Sequence, residues 1–265
     1  MSLKTGVIEL RDIILEKLNE IEENYGVKIL YAIESGSRAW GFESSDSDYD
    51  VRFIYIHKPE WYLSILDKRD VIELPINDLL DISGWDIRKA LVLFRKSNPS
   101  LLEWLGSPIM YKQDDKFVEK MRELVNEYFS SKKCIYHYMH MAVRNYREYL
   151  QKDIIKIKKY FYVLRPVMAC MWVEKYGTQP PTVFQELMNS LNLNEELIRE
   201  INTLLIRKKQ GEEMNEEKQN GIINEFLEDR LNYFDEYVKN IHSEKNSDID
   251  VLDELFREIL KEAWY

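Results

Sequence analysis

The stretch from Val27 to Ile56 constrains the fold more than any other. Two short apolar runs, Val27-Lys-Ile-Leu-Tyr-Ala-Ile33 and Asp50-Val-Arg-Phe-Ile-Tyr-Ile56, are rich in β-branched and aromatic residues, the pattern of buried strands. Between them runs Glu34-Ser-Gly-Ser-Arg-Ala-Trp-Gly-Phe-Glu-Ser-Ser-Asp-Ser-Asp-Tyr-Asp50. Gly36 turns the chain there, because glycine tolerates positive φ and lets other groups approach the backbone closely. Amides after such a turn, at the start of a short helix, cradle phosphate oxygens, and the Ser37 hydroxyl adds a donor. Arg38 has two readings, neutralising a phosphate or pairing with Glu34 or Glu43. Asp46 reads as a turn residue. Asp48 and Asp50 open the second strand, where residues two apart share a face with Cα atoms about 7 Å apart. Their carboxylates can therefore aim at one point. Mg²⁺, with Mn²⁺ as the alternative, is the kind of oxygen-ligated cation that satisfies them. Metals paired on such carboxylates clamp the attacking and leaving oxygens of a phosphoryl displacement.

A third carboxylate from a neighbouring strand usually completes such a site, and two residues compete for the place. The runs Asp70–Leu74 and Asp78–Ser83 alternate as strands, with a hairpin turn around Pro75-Ile-Asn77. Asp81 lies between Leu80 and Ile82 and so faces away from both. A charge inside an apolar strand is costly unless it is paired or metal-bound, which makes Asp81 the favoured candidate. Asp86 is the alternative. It falls in Gly84-Trp85-Asp86, read as the first turn of a helix from Trp85 to Lys96, where a carboxylate complements the helix dipole.

The pattern changes near Tyr111 to Asp115. Before it, strands and helices alternate, starting with a helical period over 6–24. After it, helical periodicity continues over about 115–129, 132–150, 155–175, 182–191, 194–208, 216–242 and 247–262. Pro166 implies a kink or restart, and the acidic segment around 211–220 reads as a surface loop. The expected architecture is α/β (α+β): a mixed-sheet domain over 1–112, followed by an all-helical domain over 113–265 that closes a cleft.

With 265 residues and a net charge of −10, the chain does not carry the overall basic surface usual for a nucleic-acid binder. From Arg144 to Arg165, however, it has seven basic residues and only two acidic ones, enough to hold a polyphosphate or an RNA end. Lys158, Lys159 and Arg165 stand out as basic residues within an apolar helical segment. His57 reads as a packed histidine, and His137 with His140 as interhelical contacts. Cys134 and Cys170 have no CxxC spacing and read as buried thiols. No secretory signal or membrane-length apolar run is expected, which points to the cytoplasm.

Gly36-Ser37, a spacer of about ten residues, and Asp48-x-Asp50 between apolar strands resemble the active-site signature of the DNA polymerase β-like nucleotidyltransferase superfamily. Longer blocks are more specific: Ser35-Gly-Ser-Arg-Ala-Trp-Gly41, Ser45-Asp-Ser-Asp-Tyr-Asp50, Gly84-Trp-Asp-Ile-Arg-Lys-Ala-Leu91 and Ser97-Asn-Pro-Ser-Leu-Leu-Glu-Trp-Leu105. With Ser107-Pro-Ile-Met-Tyr111 and Lys158-Lys-Tyr-Phe-Tyr-Val-Leu-Arg165, they resemble the nucleotidyltransferases associated with bacterial RNA repair.

The resemblance implies transfer of a nucleoside monophosphate from an NTP to a hydroxyl acceptor, an RNA 3′ end, with release of pyrophosphate. It assigns Asp48 and Asp50 to the metals, and to a third carboxylate, Asp81 on the strand reading with Asp86 as the alternative, a share of the metal and deprotonation of the acceptor. Gly36, Ser37 and Arg38 would hold phosphates, and cations from the helical domain, Lys159 first with Lys158 and Arg165, would face the triphosphate. Adenylylation of a protein or small molecule, an inactive NTP sensor and a structural RNA-binding role are the alternatives. Oligomeric state is not indicated.

Overall fold

The computed structural model describes residues 2–44, 47–76, 79–241 and 248–265. A five-stranded sheet contains β1 (Val27–Glu34), β2 (Tyr49–His57), β3 (Val71–Glu73), β4 (Leu80–Asp86) and β5 (Met110–Gln113), in the order β3-β4-β2-β1-β5. β2 and β4 are parallel, and the other pairs are antiparallel. The helices around this sheet are α1 (Ser2–Tyr25), α2 (Gly36–Ala39), α3 (Pro59–Tyr62), α4 (Ile87–Arg95), α5 (Pro99–Leu105) and α6 (Asp115–Tyr128). Beyond them come α7 (Ser131–Asn145), α8 (Ile157–Tyr176), α9 (Phe184–Asn189), α10 (Glu195–Lys209), α11 (Gly221–Asn240) and α12 (Ile249–Trp264). A two-stranded ribbon joins β6 (Ile154–Lys156) to β7 (Glu216–Lys218). The expected mixed sheet followed by a largely helical region is the fold observed.

Alternation along the strands divides the core. Val51, Phe53 and Tyr55 point to one face, where Ile14, Leu18 and Ile21 of α1 cover them. Burying each such aliphatic side chain contributes roughly 1.5–3 kcal/mol. Ile54 and Ile56 point to the other face, against α4, α5, α6 and α12. A bulge between Ile29 and Tyr31 lets the consecutive Leu30 and Tyr31 both join this second face. A third core, built from α7 to α11, takes in Phe42 and Leu102 from the sheet side. Thus α6 and α12, which the sequence places in the helical unit, pack with the sheet.

Several boundaries differ from the sequence reading for identifiable reasons. Trp85 and Asp86 remain strand because they pair with Ile54 and Tyr55, so α4 begins only at Ile87 with Asp86 as its cap. Pro166 does not restart the helix, since α8 runs through it from Ile157 to Tyr176. Proline there leaves the carbonyl of Tyr162 without its helical donor, and the Asn145 side-chain amide supplies one at 3.1 Å. The acidic segment is a 3₁₀ turn plus β7, anchored where Arg207 pairs with Glu212 and Glu217. Asp46, Asn77, Asp78 and the helix ends expected at His242 and Ser247 lie outside the described residues. Among the described residues no helix is long and apolar enough to cross a membrane.

Candidate active site

The site forms where β1 ends and β2 and β4 begin. β1 hands the chain to α2, a single turn whose Trp40 N–H returns to the Gly36 carbonyl at 3.0 Å. Gly36 has φ +60°, and a Cβ added there would lie 2.1 Å from Asp50 Oδ2. Only glycine lets the carboxylate rest on this turn. Arg38 braces the returning loop, donating to the carbonyls of Ser47 (2.7 Å) and Asp48 (3.2 Å) while its guanidinium lies 3.5 Å from the Tyr49 ring.

Parallel pairing sets Asp50 beside Asp81. Both project on the face opposite Val51 and Ile82, as the alternation requires. Between them stands Arg52, whose Nη2 donates to Asp50 Oδ1 at 3.1 Å and to Asp81 Oδ2 at 2.7 Å. Burial raises the Asp50 pKa, Arg52 opposes the shift, and the charges of Asp81 and Asp48 add to it. Carboxylates crowded this way favour a cation among them. Arg52 was missed in the sequence, although its spacing of two from Asp50 puts it on the same strand face.

Asp86 is placed elsewhere. Its side chain caps α4 through the Arg88 N–H at 2.9 Å and accepts from the Tyr62 hydroxyl at 2.7 Å. Burial lifts it to about 6, with both hydrogen bonds pulling the other way. It belongs to the opposite strand parity from Asp81. Nearby, His57 stacks on Trp61 at 4.1 Å and is pushed down to about 4 by burial.

A cavity of about 220 Å³ opens over the turn, lined by Gly36, Ser37, Trp40, Phe42, Ser47, Asp48, Asp50, Lys158, Tyr162 and Lys208. The turn and the aspartates form one wall, and α8 and α10 supply the other. Lys158 reaches the cavity as the sequence anticipates. Lys159 does not line it; its ammonium lies 3.7 Å from the Tyr149 ring and 5.0 Å from the Tyr162 ring. Arg165 is only 2% exposed, ion-paired with Glu103 and set 4.8 Å from the Trp40 ring. Its place is in a buried network, not in the cavity. Lys208, 3% exposed and 5.2 Å from the Phe42 ring, is the cavity cation that the sequence reading missed. Its signal was a lysine on the apolar stripe of α10, below Leu204 and Leu205.

Among the described residues, no three His, Cys, Asp or Glu side chains form a ready-made metal cage. Mg²⁺ does not require one, since it is commonly held by one or two carboxylates with water and substrate phosphates. Asp48 and Asp50, beside the Ser37 hydroxyl and the Gly36 cradle, fit that arrangement. Cys134 and Cys170 are buried, with both thiols raised by burial.

Residues 10–258 match the model of the RNA repair pathway DNA polymerase beta family. The class is therefore that of the polymerase β-type nucleotidyltransferases. The uncharacterized protein YcgL of Bacillus subtilis (strain 168) is 53% identical over 251 residues, covering 95% of this chain and 96% of that protein. The chain belongs to the RNA repair pathway DNA polymerase beta family. Among solved structures, a nucleotidyltransferase-like protein from Exiguobacterium sibiricum 255-15 is similar over 95% of this chain and 81% of its own, with 10% identity and a TM-score of 0.32.

Proposed function

We propose that this protein transfers a nucleoside monophosphate from an NTP to a hydroxyl at an RNA 3′ end. The observation that carries the reading is the cavity itself: a Gly-Ser turn and two aspartates on one wall, two lysines on the other. Anionic phosphates would be met by the lysines, and the aspartates would hold a divalent cation that offsets the remaining charge.

Ser37 and the amides of α2 hold the terminal phosphates, and Lys158 and Lys208 offset their charge. Asp48 and Asp50 would hold the cation, which would supply positive charge to offset the triphosphate. Asp81, kept beside Asp50 by Arg52, is the third carboxylate and accepts the proton of the acceptor hydroxyl. The acceptor oxygen bonds to the α-phosphorus as the bond to the bridging oxygen breaks, and that electron pair leaves with pyrophosphate. Beyond the cavity, Lys158 continues into Lys159, Lys156 and Lys152, which repel one another enough to help lower the Lys159 pKa after burial. With Tyr149 and Tyr162 this ridge suits a phosphate backbone with stacked bases, supporting an RNA strand as acceptor.

Label transfer tests the proposal. Protein with Mg²⁺ or Mn²⁺, each α-labelled NTP in turn and RNA bearing free 3′-hydroxyls should give labelled RNA. The Asp48→Asn/Asp50→Asn variant should give none. Label on protein or on a small molecule would reject the acceptor, and NTP binding without any transfer would reject the chemistry.

A further inference from the structure

Glu34 takes no part in the chemistry above, yet it is fully buried at the end of β1, directly behind the aspartates. One carboxylate oxygen accepts the Asp50 N–H at 2.8 Å, and the other accepts the Tyr111 hydroxyl. Its own N–H donates to the Ile109 carbonyl at 2.9 Å, and its carbonyl accepts from Ser107 Oγ at 2.6 Å. The next residue, Ser35, donates to the Asp50 carbonyl at 2.8 Å. Three segments, the end of β1, the start of β2 and the 107–111 stretch, are thereby tied at one residue.

The Asp50 carboxylate has little room for error. One oxygen rests on Gly36, where a Cβ would collide, and the other faces Arg52 at 3.1 Å. A shift of the Asp50 backbone would lift the carboxylate off the turn or break its contact with Arg52. A buried carboxylate is a costly way to hold one strand N–H, since a carbonyl would do so more cheaply. The carboxylate differs in taking two donors from different segments.

We infer that Glu34, clamped by Tyr111, is a positioning residue that fixes the Asp50 main chain and so sets the carboxylate geometry with which Asp50 binds its cation. The inference rests on the proposed role of Asp50. Residues of this kind typically change metal affinity or activity by about 10–100-fold when removed.

The experiment measures Mn²⁺ binding to the full chain by electron paramagnetic resonance without nucleotide, beside transfer kinetics and circular dichroism. Glu34→Ala should weaken Mn²⁺ binding and lower kcat by about 10-fold or more, with KM for NTP changing far less. Tyr111→Phe should move both in the same direction by less. Glu34→Gln keeps an acceptor for the Asp50 N–H and should recover most of the loss. A folded Glu34→Ala with wild-type Mn²⁺ affinity would overturn the clamp. If that variant does not fold, Tyr111→Phe decides: unchanged Mn²⁺ affinity overturns the inference, and weakened affinity supports it. Glu34→Gln as impaired as a folded Glu34→Ala would also overturn it, by showing that charge rather than the hydrogen bond matters. Asp50→Asn is the control. If it leaves Mn²⁺ binding intact, the proposed site itself fails, and the clamp fails with it; if it abolishes binding while the Glu34 variants do nothing, only the clamp fails.

Discussion

Two clusters of charge lie close together and are built in opposite ways. Around Arg165 solvent is excluded, and its neighbours tie it down: Glu103, the Thr182 carbonyl at 3.3 Å and the Trp40 ring. Glu103 is held in turn by Tyr138 and Trp40. Around Asp50 the side chains of Asp50 and Asp81 are each 30% exposed, carboxylates crowd carboxylates, and cations approach across an open cavity. The first arrangement spends its charges on one another. The second leaves them partly unmet, which is the condition for binding something else. Trp40 belongs to both, donating to Glu103 while lining the cavity.

The contrast can be broken at four points. The largest effect should come from Arg165→Ala, which strands Glu103 and should cost about 3–5 kcal/mol in urea unfolding. Replacing both partners, Arg165→Met with Glu103→Leu, should recover much of that loss. A single substitution no worse than the pair would remove the scaffold reading. Asp50→Asn should do the reverse, lowering transfer on the order of 10²–10³-fold while leaving the thermal midpoint unchanged or higher. A large drop in stability there would make Asp50 scaffold as well.

Lys208→Met tests whether the buried cavity cation serves substrate. Half-saturating NTP should rise about 10-fold or more, as for loss of a charge-assisted hydrogen bond, with RNA affinity little changed. The smallest effect concerns Asp86, an acidic residue that belongs neither to the Arg165–Glu103 network nor to the cavity. Its pKa is raised to about 6, so its neutral form is favoured in the fold. Its contribution to stability is therefore complete below about pH 4 and is lost as pH rises through about 6. Tyr62 donates to the charged form, so Tyr62→Phe should cost about 1 kcal/mol more at pH 8 than at pH 4. Equal losses at both pH values in thermal melts would show that the hydroxyl does not serve the carboxylate.

What could be read from the sequence was what lies close along the chain. The turn at Gly36, the two aspartates and their strands form one hairpin, so spacing alone gives their geometry. Asp81 is preferred to Asp86 because a charge inside an apolar strand needs a partner, whereas Asp86 reads as the first turn of a helix. That Asp86 instead ends β4, at the opposite strand parity, comes from its pairing with Tyr55. Arg165 was misread because a basic residue in an apolar helix has two explanations, and Glu103 sits 62 positions away. Lys208 stands out locally as a lysine on the apolar stripe of α10, but that it meets the cavity depends on the packing of α10 onto Phe42, which the stripe does not specify. β5 was invisible for another reason. Met110-Tyr-Lys-Gln113 is a short edge strand with no buried residue to set an alternation.

The order in which the chain supplies these groups has a consequence during synthesis. The aspartates leave the ribosome before Asp81 and Lys208, on a hairpin that needs only local contacts. Asp81 requires a parallel pairing across an intervening excursion, and Lys208 follows only once α10 has emerged. Pairings of such long sequence separation form slowly, and domains fold from the N-terminus as they are made. A nascent or prematurely terminated chain would therefore carry the carboxylates without the facing ammonium groups.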